Sequence, residues 1–99
     1  VRYLGYNKPM AWHIYIVRTR SGKFYTGIST DVERRFIEHL TGFGGAKALK
    51  GDPAEELIYV EQARDRSDAS QREYEIKKLN RKQKENLVAV FHSSLDLSD

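Results

Sequence analysis

Two segments rich in β-branched and aromatic residues, WHIYIVRT (12–19) and KFYTGI (23–28), are separated only by Arg20-Ser21-Gly22. Such spacing predicts an antiparallel hairpin. Its register then decides which side chains share a face, because side chains alternate along a strand. A two-residue loop at Ser21-Gly22 would pair Arg18 with Tyr25 and Tyr15 with Ile28, sending the two tyrosines to opposite faces. A three-residue loop at 20–22 pairs Tyr15 with Gly27 and Val17 with Tyr25. Three-residue hairpin loops commonly close on a left-handed residue, and Gly22 stands where that residue is needed. The second register is therefore preferred. It sets Tyr15 and Tyr25 diagonally on one face and leaves open space beside the Tyr15 ring, over Gly27.

The segment after the hairpin, TDVERRFIEHLTG, reads as a helix over 31–41. Thr30 as N-cap with Glu33 three residues on makes a capping box, and Gly42 suits the left-handed residue beyond a helix end. Val32, Phe36 and Leu40 recur at four-residue spacing and predict the buried stripe, widened by Ile37. Arg35 and His39 are four apart, so they share a face. At about 100° per residue they lie beside Val32, at the margin of that stripe and within reach of the sheet. Two phenols, a guanidinium and an imidazole converging there would suit an anionic, phosphate-like group.

Downstream, GFGGAKALKGDP (42–53) reads as a surface loop with at most a short helical turn, and EELIYVEQ (55–62) as a third strand. A helix opens at Ser67 or Asp68 and runs to about Leu79. Asn80 with Gln83 looks like a second capping box, opening a final helix through about His92. The order β-β-α-β-α-α predicts an α+β domain, a small three-stranded antiparallel sheet flanked by three helices. Residues 1–10 read as a loosely ordered lead-in, 11–92 as the single domain and 93–99 as a frayed tail.

Composition limits the functional classes. Ninety-nine residues allow one core. The absence of cysteine removes disulfides, thiolate metal sites and cysteine nucleophiles. No apolar run approaches the ~20 residues of a membrane span, and no signal-peptide pattern is visible. A cytoplasmic location without membrane contact is the expectation. The net charge of +3 is modest, but KKLNRKQK (77–84) gathers five cations and no acid. Such a cluster is the electrostatic footprint of a nucleic-acid site or a solvated helix face.

The motifs His13-Ile14-Tyr15 and Tyr25-Thr26-Gly27, followed by the Arg35/His39 spacing, resemble the GIY-YIG nuclease superfamily. The short chain and the AKALKG loop are similar to its small stand-alone bacterial members, the UPF0213-like proteins. The likeness extends over roughly residues 11–85; His13 replaces the glycine of the family's first motif. The resemblance implies a DNA endonuclease that hydrolyses phosphodiester bonds with one divalent ion, Mg²⁺ or Mn²⁺, with a structure-directed role in repair or recombination among its forms. It implies that Tyr15, Tyr25, Arg35 and His39 are catalytic and that the metal-binding glutamate comes from SQREYEIKKL. Glu73 is the choice there, because it shares a face with Ala69, Ile76 and Asn80; Glu75, offset by about 200°, is the alternative. Lys47, Lys50, Lys77, Lys78, Arg81 and Lys82 are the candidate phosphate contacts. DNA is the expected partner, with RNA as a second candidate and a protein partner as the source of specificity. Two other readings stand beside it: a non-catalytic nucleic-acid-binding module on the same fold, and a small protein-interaction domain.

Overall fold

A computed structural model of the chain describes residues 11–42, 44 and 49–97. The lead-in at 1–10, Lys47 and the last two residues lie outside that set. Three strands, β1 (His13–Thr19), β2 (Phe24–Ser29) and β3 (Ala54–Gln62), form an antiparallel sheet in the order β2-β1-β3. Three helices accompany it: α1 (Val32–Thr41), α2 (Arg66–Lys78) and α3 (Arg81–Leu97). The expected architecture and element order are both present. Among the described residues no helix is long and apolar enough to cross a membrane.

The hairpin takes the three-residue loop. Thr19 N–H bonds to the Lys23 carbonyl at 2.8 Å, Gly22 has φ 91°, and Tyr15 faces Gly27 while Val17 faces Tyr25. The central strand is buried on both faces, which is why it is apolar at nearly every position. Ile14 and Ile16 join Ala69 and Ile76 of α2 on one face, with Leu87, Val88 and Phe91 of α3 packed against them. On the other face Tyr15 and Val17 meet Val32 of α1 together with Leu49, Leu57 and Val60. A bulge permits both sets to stay apolar along β3: Ile16 pairs with Tyr59 and Val17 with Leu57, leaving Ile58 as the extra residue.

Helix boundaries depart from expectation in ways local hydrogen bonding explains. The N-cap of α1 is Asp31, not Thr30; its carboxylate accepts the Arg34 N–H at 3.1 Å, while Ser29 Oγ accepts the Asp31 N–H at 2.8 Å. Asp31 is as good a cap as Thr30, and the Ser29 bridge selects it. Gly42 ends α1 at φ 83°, as expected. For α2 the cap is Asp65, accepting from Asp68 N–H at 2.8 Å, so this helix starts at Arg66, ahead of Ser67 or Asp68. The Asn80/Gln83 capping box forms reciprocally, both bonds at 2.9 Å. α3 then runs beyond His92 to Leu97, held by His92 Nε2–H donating to the Ile58 carbonyl (3.0 Å) and by the buried Leu95.

The largest correction concerns the roll of α1. Leu40 is 47% and Ile37 56% exposed, whereas His39 is 1% exposed. The inward face is Val32, Phe36 and His39, not Val32, Phe36 and Leu40. Residues 32 and 39 are two turns apart and nearly superposed in projection, while residue 40 is rotated by about 80° from residue 32. His39 thus sits at the centre of the buried face rather than at its margin.

Candidate active site

Gly27 creates the space in which the site is built. A Cβ on Gly27 would stand 2.5 Å from Tyr15 Oη and 2.6 Å from Tyr15 Cζ. The Tyr15 ring therefore lies across β2 at Gly27, carrying its hydroxyl from the central strand toward the β2 edge. There it meets His39 of α1: Tyr15 Oη and His39 Nε2 share a 2.8 Å hydrogen bond. Tyr25, two residues along β2 from Gly27 and on the same face, sets its ring edge-on to the His39 ring at a centroid separation of 5.2 Å. The bonded pair offsets part of the cost of burying an imidazole and a phenol under α1.

Arg35, one turn before His39, reaches the same place. Its Nη1 donates to Glu38 Oε1 at 2.7 Å and to the Gly44 carbonyl at 2.6 Å. Two contacts on one nitrogen fix the guanidinium and leave other N–H groups of its planar fork for a ligand. Glu38 also accepts from Arg34 at 2.8 Å, and its carboxyl is held below the usual carboxylate range, chiefly by the Arg35 hydrogen bond. Glu38 was not picked out in the sequence, although its position three residues after Arg35 and four after Arg34 is a readable signal.

Electrostatics ties Glu73 to this group. Burial pushes the Tyr15 hydroxyl well above the ordinary tyrosine range; the charges of Tyr25 and Glu73 push the same way, and Arg35 pulls it down by charge and hydrogen bonding. His39 is pushed down to about 4, first by burial and then by Arg35, with Glu38 acting in the opposite direction. At neutral pH the pair is accordingly a neutral phenol and a neutral imidazole. Glu73 lies on the flank of α2 that leans on β2, at 23% side-chain exposure and 3.2 Å from the Lys77 ammonium. Glu75 is 52% exposed and turned to Arg72. The structure thus brings Tyr15, Tyr25, Arg35 and His39 together; Glu73 touches Lys77 and reaches the group through its charge at Tyr15, and Glu75 is turned to Arg72.

Ala69 and Ile76 seat α2 on the sheet, and an ion pair to β3 adds to that. Arg72 Nε donates to both carboxylate oxygens of Glu61, at 3.1 and 3.0 Å, and the Tyr59 hydroxyl donates to Glu61 as well. Burial and Glu61 together push the Tyr59 hydroxyl up to about 12.

Among the described residues no group of three or more His, Cys, Asp or Glu side chains could hold a metal ion. The carboxylate of α2 whose charge is felt at Tyr15 is Glu73. That donor set fits a hard ion that keeps most of its water, such as Mg²⁺ or Mn²⁺, and not an all-protein cage.

The expected phosphate contacts separate. Lys78 and Lys82 are exposed, the former with its ammonium 4.4 Å above the Tyr74 ring. Lys77 is bound to Glu73 as noted. Arg81 is occupied within the fold, stacked over Phe24 at 3.8 Å, donating to the Gly22 carbonyl at 2.8 Å and paired with Glu85 at 3.0 Å. Lys50 is exposed on the turn after α1.

Comparison with known proteins agrees with this arrangement. The family model of the GIY-YIG catalytic domain matches residues 11–86. The chain belongs to the GIY-YIG nuclease family. Within it, a UPF0213 protein of Yersinia enterocolitica is 50% identical over 84 residues, covering 85% of this chain and 86% of that protein. A UPF0213 protein of Sodalis glossinidius is 48% identical over 84 residues, covering 85% and 78% respectively. Solution structures share the fold: a protein from E. faecalis has a TM-score of 0.57 at 38% identity, covering 87% of this chain and 90% of that one. A UPF0213 protein from Bacillus halodurans has a TM-score of 0.53 at 34% identity, covering 82% and 85%.

Proposed function

We propose that the protein is a metal-dependent endonuclease that hydrolyses DNA phosphodiester bonds. The observation that carries this reading is the Tyr15–His39 hydrogen bond beside Arg35, within electrostatic reach of Glu73. A phosphodiester laid along the β2 edge would place its non-bridging oxygens on the Arg35 fork, where donors are already oriented. Tyr15 Oη would hold the attacking water. Because the phenol is protonated in the resting protein, it serves as a base only by passing its own proton on, and the neutral His39 Nε2 at 2.8 Å is the acceptor. An anion on Arg35 acts on both partners, since that guanidinium lowers Tyr15 as well as His39, so the transfer has to be drawn by the water's attack on the phosphorus rather than by substrate charge alone. Tyr25 would align the Tyr15–His39 pair from the side. Glu73, with waters, would hold a divalent ion, which would supply neutralisation of charge on the leaving 3′ oxygen. Lys78 and Lys82 would contact phosphates at a distance from the reaction, without reading bases.

The test is nicking of supercoiled plasmid with Mg²⁺ or Mn²⁺, comparing the wild type with Arg35→Ala. Nicking by the wild type alone supports the enzyme. DNA binding without cleavage on any duplex, branched or single-stranded substrate would leave a nucleic-acid-binding module instead.

A further inference from the structure

A cleft of about 400 Å³ opens beside Tyr25, between the hairpin tip and the turn at 49–52. The buried Leu49 and the exposed Gly51 line it, and Lys23 of the hairpin tip and Lys50 of the turn both stand at it. Both lysines are exposed, and among the described residues neither makes an ion pair. The acid in the cleft, Asp52, is committed elsewhere. Its carboxylate accepts from Ser21 N–H at 3.0 Å, from Ser21 Oγ at 2.7 Å and from Thr19 Oγ1 at 2.9 Å. Arg20 N–H adds a 2.9 Å bond to the Pro53 carbonyl. Hairpin tip and turn are thereby tied together, and Lys23, Lys50 and Tyr25 are the side chains of the lining whose polar ends can meet a ligand, Lys23 lying near the Asp52 charge.

Tyr25 forms part of this cleft and also touches His39, so the cleft and the candidate active site adjoin through one side chain. Its size is near the lower end of the roughly 300–1,000 Å³ usual for small-molecule sites. That accommodates one nucleotide but not a stacked base pair. We infer that this cleft holds a single unpaired nucleotide next to the scissile phosphate, with that nucleotide's own phosphate bound between Lys23 and Lys50. The substrate class is then DNA with an unpaired strand at the cut, such as a flap, a fork or a single strand. The inference rests on the nuclease reading for the phrase "next to the scissile phosphate"; nucleotide binding by the cleft can be measured without it.

The test uses single-stranded dT₈ and a blunt hairpin duplex in metal-free buffer, followed by amide NMR and fluorescence anisotropy. With dT₈, the amides of Lys23, Tyr25, Gly51 and Asp52 should move. Lys23→Ala/Lys50→Ala should bind dT₈ about tenfold more weakly, with a clearly smaller change for the blunt duplex. With Mg²⁺ or Mn²⁺, the same double variant should lose about tenfold in cleavage of a flap relative to a nicked duplex. Unmoved amides around the cleft, or equal weakening for both DNAs, would overturn the inference. If the wild type cleaves while the cleft stays silent, the cleft assignment alone fails. If the cleft binds dT₈ but the wild type cleaves nothing, the nuclease reading fails and the nucleotide site stands.

Discussion

Replacing Gly27 by alanine adds one methyl group at the point where the Tyr15 ring crosses β2. Two opposed effects follow. The backbone at Gly27 is not left-handed, so alanine fits it without strain and reduces the freedom of the unfolded chain, a gain of about 0.4–1 kcal/mol. Against this, the new Cβ would lie 2.5 Å from Tyr15 Oη and 2.6 Å from Cζ. The ring cannot simply swing aside, because it is buried to 1% exposure and bonded to His39. Overpacking of this kind costs about 1–3 kcal/mol, so the net effect should be a loss of about 1–2 kcal/mol. Urea unfolding would show it as a lower midpoint with an unchanged slope. The displaced hydroxyl should also depress cleavage well beyond the stability loss. A second background separates the cause: in Tyr15→Leu, which lacks both clashing atoms, Gly27→Ala should be neutral or stabilising. The coupling between the two changes should therefore be about 1–3 kcal/mol. Neutral behaviour of Gly27→Ala in the wild type, with the His39 ring resonances unmoved, would refute the reasoning.

Other outcomes follow from the same geometry. His39 titrates near 4 in the folded state against about 6.5 unfolded, so its stabilising effect is complete above pH 6.5 and is lost as pH falls through that window. Unfolding free energy should drop by about 2 kcal/mol between pH 7 and pH 5, and His39→Gln should flatten the dependence. Arg35→Lys keeps the charge but not the planar fork; single-turnover cleavage should slow about 100-fold, with DNA affinity in Ca²⁺ largely kept. Equal loss in both measurements would make Arg35 a binding residue only. Asn80→Ala removes one half of a formed capping box and should cost about 1 kcal/mol in thermal or urea unfolding, without changing cleavage of DNA.

Much of this arrangement was legible before any coordinates, for identifiable reasons. Loop length and Gly22 settle the hairpin register, and the register puts Tyr15, Tyr25 and Gly27 together. Four-residue spacing puts Arg35 beside His39. The roll of α1 was misread because hydropathy ranks Leu40 and Ile37 above histidine as core residues. A hydrogen-bonded imidazole is not a polar liability, however, and its partner Tyr15 comes from another strand, which no local pattern reveals. The choice of Asp31 over Thr30 likewise turns on the Ser29 hydroxyl, a contact invisible in a propensity pattern. The continuation of α3 past His92 depends on Leu95 finding the core, a tertiary effect. Arg81, read as a phosphate contact, spends its guanidinium on Phe24, Gly22 and Glu85, and only the packing of α3 against the hairpin tip discloses that.

The clamp of Arg72 on Glu61 has a consequence for how this site can fail. Tyr15, Tyr25, Arg35 and His39 are carried by the hairpin and α1, whereas Glu73 arrives on a separate helix, one residue after the Arg72 that binds Glu61. The candidate machinery thus draws on two elements, with α2 seated on the sheet by the buried Ala69 and Ile76 and tied in addition to β3 through Arg72 and Glu61. A lesion at Glu61 or Tyr59, remote from the reacting atoms, would leave the phenol–imidazole half intact while detuning the carboxylate half. If Glu73 holds the ion as proposed, such a protein would bind its substrate normally and demand more metal, a phenotype easily mistaken for damage to Glu73 itself.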